Sequence, residues 1–405
     1  MTGKRLIVGG AAAVTTAAAL LLGGVFSGGP ATSQARPFSP AQLDRQGNAF
    51  AQRARETGDV AYYDKAEVAY RRALQLAPND LPATIGLGGL ALSRHEFRTG
   101  LALGRRAVTL SPSTARSYGV VGDALVELGR YEEAFETFNK MVTLKPSVSS
   151  YARVSYAREL LGDIPGAAAA MRYAVDAAAG EPEALAWSQT QLGKLYWSHG
   201  RPRGAEREFH AALRVRPAYP SALAALAQVE AGRGHFAAAI SHAQRAAEIL
   251  PLPQYVADLG DLLLASGDRR GARRQYALVG AIARLQRESG VNVDLELALF
   301  DVDHGVHLDR TVALARAARA GRPSIDGDDV LAWALARTRR CSEALRFSKR
   351  ALRLGTFDAP KFFHRGMIER CLGHDAKAAL WFHRALALNP HFSVIWAPVA
   401  RRYSS

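Results

Sequence analysis

The chain has 405 residues, 48% of them hydrophobic, and a net charge of +15. That length holds two or three ordinary domains, or one elongated array whose core grows with repeat number. Alanine dominates the apolar set and β-branched runs are scarce, which excludes a mainly β fold and points to an all-α one.

The N-terminus reads as an export segment. Lys4-Arg5 precedes an uncharged run from Leu6 to Phe26, and Ser27 to Pro40 is rich in Gly, Pro and Ser. A basic start, an apolar run and a small-residue exit mark a signal peptide, with cleavage expected after Ala35. The apolar run is also long enough to span a bilayer if kept. Residues 1–35 are therefore a cleaved signal, a retained anchor, or neither, and residues 36–44 a linker. No Cys follows the run, which excludes lipid modification there, and Lys4-Arg5 is not a twin arginine, which favours the general export route.

Helical patterning begins near Pro40. The first hairpin is clear in its second helix (Ala66, Tyr70, Ala73, Pro78). The second carries Leu87-Gly88, Gly100, Ala107 and Pro112, with Gly104 where a large residue belongs, which predicts loose packing. The third, Ala115 to Val148, is the most regular. Val121, Leu125 and Val126 form one helical stripe, and Ala134, Phe138 and Met141 another, at spacings of four and three. Gly129 separates them and Pro146 ends the second. Gly122 and Ala134 are small where the two helices cross, and Phe138 fills the space beside them.

This stretch resembles the tetratricopeptide repeat, a unit of roughly 34 residues. Gly122, Ala134, Phe138 and Pro146 answer the family's small, Ala, aromatic and Pro positions, and Met141 departs from a second Ala. The pattern recurs in a fourth unit (Gly162, Ala167, Met171, Ala174) and in a complete fifth (Gly193, Gly200, Ala205, Phe209, Ala212, Pro217). A sixth has Ala239, Ala243, Ala246 and Pro251, and a seventh Gly260, Gly267, Ala272 and Tyr276. Ala281 to Val291 then interrupts the period by lengthening a helix. The eighth is weak (Ala315, Ala318, Pro323), the ninth has Ser348 in the aromatic slot, and the tenth is complete (Gly366, Gly373, Ala378, Phe382, Ala385, Pro390).

The resemblance implies a right-handed α-solenoid of about ten repeats over residues 45–392, with a capping segment at 393–405 in which Pro398 limits any helix. It also implies a non-enzymatic scaffold holding a protein or peptide partner in the groove lined by the first helices; with the export segment, the expectation is a bacterial protein of this kind working outside the cytoplasm. Groove positions by repeat register are Tyr156, Trp187, Lys194 and Trp197 in mid-array. A C-terminal group comprises Phe300, Trp333, Arg337, Phe363, Met367 and Arg370. Aromatic residues beside arginine have the composition of binding hot spots; core or cap contact is the competing reading. Only Lys194 answers the family's carboxylate clamp, so capture of a terminal carboxylate is not expected.

The densest polar cluster is Asp301, Asp303, His304 and His307. Carboxylate and imidazole together suit a transition metal, which makes a metal-handling or catalytic envelope protein the alternative function. The plainer reading is a helix boundary, with Gly305 as the left-handed stop and Asp309 as the next cap. Cys341 and Cys371 fall about one period apart on neighbouring hairpins and form a candidate disulfide, which export permits; buried free thiols are the other reading.

No cofactor motif is present. His95-Glu96 lacks the second His of a zinc protease, and Gly86 to Gly89 sits in a helix with no strand before it. The positive charge admits three readings: base composition of a GC-rich genome, attraction to anionic lipid or envelope polymer, and an acidic protein partner. No nucleic-acid recognition motif accompanies it.

Overall fold

The computed structural model describes residues 38–404, and the residues from Ser39 onward form one unit. The export segment lies outside the described residues, and none of the described helices is long and apolar enough to cross a membrane. The described residues contain twenty-one helices and no strand.

Twenty of the helices pair into ten antiparallel hairpins. They are α1 (Pro40–Thr57) with α2 (Ala61–Leu76), α3 (Leu81–Ser93) with α4 (Phe97–Leu110), α5 (Ala115–Glu127) with α6 (Tyr131–Leu144), and α7 (Val148–Leu160) with α8 (Ile164–Ala177). Next come α9 (Pro182–Ser198) with α10 (Pro202–Val215), α11 (Pro220–Gly232) with α12 (Phe236–Ile249), and α13 (Pro253–Ala265) with α14 (Arg269–Glu288). The last three are α15 (Asp294–His304) with α16 (Leu308–Gly321), α17 (Ile325–Arg337) with α18 (Cys341–Ala351), and α19 (Ala359–Cys371) with α20 (Asp375–Leu388). The short α21 (Ala397–Tyr403) closes the series. Successive hairpins stack into a helical repeat solenoid; the junction of the seventh with the eighth is the loosest, bridged by side chains such as His304 on Asp261 and Phe300 on Tyr276.

Local chemistry sets the helix starts. Ser39 and Gln42 form a reciprocal capping box with Pro40 behind it, so α1 begins inside the stretch read from sequence as linker. Asp80, Asp163, Asp268 and Asp358 each accept a backbone N–H at a helix start. Pro398 stands in the first turn of α21, where its missing N–H costs nothing, so it admits a short helix there.

Small-against-large packing holds several hairpins shut. Phe138 is 1% exposed, and a Cβ on Gly122 would stand 2.2 Å from its ring. The same opposition recurs at Gly193 with Phe209 and at Gly366 with Phe382. Gly104, expected to leave its hairpin loose, does not: Val121 of the next hairpin fills the space, 2.9 Å from where a Cβ would be.

The superhelix winds tightly enough for successive turns to touch. At separations of 192 to 198 residues, Asn292 N–H donates to Arg94 O at 3.1 Å, Ile325 N–H to Tyr131 Oη at 2.7 Å, Thr356 Oγ1 to Leu160 O at 2.5 Å, and Asn389 Nδ2 to Trp197 O at 3.0 Å. Gly129 turns the chain between α5 and α6 at φ 70°, and a Cβ there would lie 2.4 Å from Pro323 O of the following turn. Glycine is needed there both for the left-handed backbone and for the close approach.

Candidate functional site

First helices face inward. A cavity of about 600 Å³ is lined by Trp197 of α9, Gln228 of α11, Asp258 and Asp261 of α13, Glu296 and Asp303 of α15, Asp329 of α17, and Lys361 and His364 of α19. Every long helix on this wall is the first of its hairpin. Two neighbouring cavities continue it. One, of about 310 Å³, is lined by Tyr156, Glu159, Asp326 and Asp358. The other, of about 490 Å³, shares Asp258, Asp261, Leu299 and Asp303 and adds Phe300.

The channel is acidic although the chain is basic. Helices α13, α15 and α17 carry Asp258, Asp261, Asp294, Glu296, Asp301, Asp303, Asp326, Asp328 and Asp329 against Arg337 alone. Their partners α14, α16 and α18 hold runs of arginine instead. Over these three hairpins charge is sorted by helix, with carboxylates concentrated on the first helix and guanidiniums on the second.

Some inner carboxylates are matched. Lys361 Nζ lies 2.7 Å from Asp326 and 2.6 Å from Asp358. Burial opposes its protonation, but these charges outweigh it and hold the ammonium well above its ordinary range; Lys361 in turn depresses the Asp326 carboxyl. His364 Nδ1 lies 2.9 Å from Asp329 and is raised by it against the pull of burial. Arg322 spans Glu127 and Glu296.

Others lack an ion pair. Among the described residues neither Asp258 nor Glu159 makes one. Burial, then Asp261, pushes Asp258 up to about 7. Burial, then Asp358, pushes Glu159 up to about 7. Both are part-exposed yet surrounded by protein, so water reaches them without solvating them fully. A positive group entering the channel would meet carboxylates that no paired cation already neutralises.

The sequence-derived groove residues divide. Tyr156, Trp187, Lys194 and Trp197 line the inner cavities. Lys194 Nζ donates to Ser221 Oγ at 2.9 Å, and burial lowers its pKa. Phe300 also reaches a cavity, its ring 5.7 Å from Tyr276.

The C-terminal group needs correction. Trp333 and Phe363 are both 0% exposed and belong to the core, Phe363 also backing the wall of the 600 Å³ cavity. The segment after α20 folds against them: Trp396 packs 5.6 Å from Trp333 and 5.4 Å from Phe363, and Phe392 5.6 Å from Phe363. Arg337 lies over both Trp333 and Trp396, Met367 packs on the same core, and Arg370 stacks 3.6 Å over Tyr403. The chain's own end covers what register alone would expose.

The polar cluster at 301–307 does not converge. His304 Nε2 bonds Asp261 at 2.7 Å and its Nδ1 lies 2.7 Å from Phe300 O. Asp303 accepts from the indole N–H of Trp333 at 2.8 Å and of Trp396 at 3.1 Å. Asp301 faces His307 alone, at 3.7 Å. No group of metal-competent residues is found among the described residues. Gly305 ends α15 at φ 68°, and His307, not Asp309, stands at the N-cap position of α16, without a side-chain capping bond. Cys341 and Cys371, first in α18 and last in α19, are joined in a disulfide with Cα atoms 5.7 Å apart.

Asp303 was singled out from sequence, as a metal candidate; the other channel carboxylates, Asp258, Asp261 and Glu296 among them, were missed. The legible signal was their allocation: tallying charge by first and second helix exposes a segregation that the net charge hides.

Family models of the tetratricopeptide repeat match residues 115–148 and 190–252. An Arabidopsis thaliana protein, the CTR9 homolog, is 24% identical over 242 residues, which is 58% of this chain and 22% of that protein. The chain thus spans less than a quarter of that relative. Among solved structures, a thermophilic repeat protein of Thermus thermophilus aligns at TM-score 0.39 and 23% identity, covering 44% of this chain and 92% of that one. A repeat protein of Parabacteroides merdae aligns at TM-score 0.42 and 15% identity, covering 62% and 99%. The chain therefore carries tetratricopeptide repeats at residues 115–148 and 190–252, within a solenoid of ten hairpins among the described residues.

Proposed function

We propose that this protein is a non-catalytic scaffold that holds a basic segment of a protein partner in its inner channel, outside the cytoplasm. Tetratricopeptide arrays serve in general as protein-interaction scaffolds. The observation that carries the reading is the wall itself: first helices of successive hairpins bring Asp258, Asp261, Glu296 and Asp303 to one cavity, and Asp258 makes no ion pair among the described residues. Low-dielectric walls of one charge sign focus field and favour a ligand of the other. Trp197 and Tyr156 offer flat apolar surface beside the carboxylates, which suits arginine or lysine side chains with long apolar stems.

Export is supported by the Lys4-Arg5 and Leu6–Phe26 pattern, and the Cys341–Cys371 disulfide fits an oxidising compartment. The metal-handling alternative loses its geometric support, since Asp303 and His304 are turned to separate partners.

The test is an anisotropy titration of the full chain with labelled arginine-lysine peptides and with acidic peptides of equal length. The reading expects binding of the basic peptide alone, weakened about tenfold or more by Asp258→Asn with Asp261→Asn, as two lost charge contacts imply. Equal affinity for both peptides would contradict it.

A further inference from the structure

The second helix of the seventh hairpin breaks the pattern of the others. Helix α14 has 20 residues, where α4, α6, α8, α10 and α12 have 14 each. Val279 and Ala283 bury its inner side. Its outer side presents Arg270, Arg273, Arg274, Leu278, Arg284 and Leu285, at spacings of three, four and seven that place them on one face. All four arginines are exposed, and none has a carboxylate partner among the described residues. Glu288 is the one acid on that face. Leu278 is 44% and Leu285 61% exposed.

Elsewhere the outer arginines of this chain are commonly neutralised. Arg233 pairs with Glu206, Arg316 with Glu343, and Arg319 with Asp328. On α14 only Arg287, off this face, is paired, with Asp294. The strip therefore concentrates uncompensated positive charge, and it places apolar side chains between the guanidiniums.

We infer that the outer face of α14 is a docking surface for an anionic lipid bilayer. The strip combines charge complementarity to such a surface with layering. Guanidiniums pair with lipid phosphates in the headgroup plane, and the two leucines enter the apolar boundary beneath them. An acidic protein face would match the arginines but leave Leu278 and Leu285 in water or in need of a matching pocket. The strip lies on the side of α14 away from Val279 and Ala283, which line the inner cavity.

Vesicle co-sedimentation of the full chain tests this, with phosphatidylcholine alone and with roughly a third phosphatidylglycerol. The N-terminal apolar run is common to all variants, so the difference between variants isolates α14. The wild type should favour the anionic vesicles. Arg270→Glu with Arg273→Glu and Arg274→Glu should remove that preference by more than tenfold, from about fivefold per arginine. Leu278→Ser with Leu285→Ser should weaken binding to anionic vesicles even at low salt. Circular dichroism would verify that each variant keeps its helix. Absence of an anionic preference in the wild type, or an unchanged preference after charge reversal, overturns the inference. So does an undiminished serine variant, the pattern expected of an acidic macromolecule with no apolar layer.

Discussion

Arg322 and Glu127 stand 195 residues apart and meet across adjoining turns of the superhelix, Arg322 Nη2 lying 3.0 Å from Glu127 Oε1 while its Nε contacts Oε2. The side chains are 18% and 22% exposed. Burial raises the Glu127 pKa in spite of Arg322, so the carboxylate depends on this partner. Arg322→Ala should therefore cost about 3 kcal/mol, as loss of one member of a mostly buried pair does. Denaturant unfolding would read the cost. Hydrogen exchange should show faster opening at Ile325, whose N–H is held by Tyr131 from the earlier turn. Exchange unchanged at Ile325 would show that the turns do not depend on this contact.

Trp333 and Trp187 separate the core from the channel. Trp333→Ala should destabilise the protein by about 4 kcal/mol, since it empties a fully enclosed site between α15, α17 and the C-terminal segment. Trp187→Ala, at a cavity wall, should cost about 1 kcal/mol or less and change peptide binding instead. Thermal melts of both variants check this; equal loss of stability would contradict the division.

The disulfide ties the ninth hairpin to the tenth across a separation of 30 residues. A loop of that size contributes about 3 kcal/mol by restricting the unfolded chain. Cys341→Ser with Cys371→Ser should lower the denaturant midpoint accordingly, and a reducing agent should bring the wild type to the same value. A wild type indifferent to reductant would argue against a contribution from the bridge.

Stability should also respond to pH through the channel. Asp258 rises from 3.8 to about 7 in the folded state, and Glu159 from 4.5 to about 7. A raised carboxyl keeps its proton in the fold after the unfolded chain has released it. The stability it contributes is present at low pH and is lost as pH rises through about 7. Asp258→Asn should flatten the decline between about pH 4 and 7. Basic-peptide binding should run the other way, tightening as the carboxyls ionise. Urea midpoints and peptide titrations across that range measure both slopes, and parallel slopes in wild type and variant would count against Asp258.

The hairpins were readable in the sequence because their rules are local. Gly122 opposite Phe138, the left-handed turn at Gly129 and the lengthening of α14 each follow from residues a few turns apart. The channel was not readable to the same degree, because it joins residues far apart in sequence. Asp258 comes near Trp197 and His364 only through superhelical curvature, and Trp333 is enclosed only because Trp396 folds back on it. Repeat register identifies a helix face; it does not say whether the chain's own terminus will cover that face. The net charge of +15 concealed the channel for a related reason: a sum carries no information on which helix holds which sign.

A photo-cross-linking residue replacing Gln228 on the inner wall, with the same residue replacing exposed Arg207 on α10 as the control, asks where the basic segment lies. The account predicts that a bound arginine-lysine peptide cross-links from position 228 and not from 207, and that excess unlabelled peptide suppresses it. Cross-linking from 207 with none from 228 would contradict the inner channel as the binding surface.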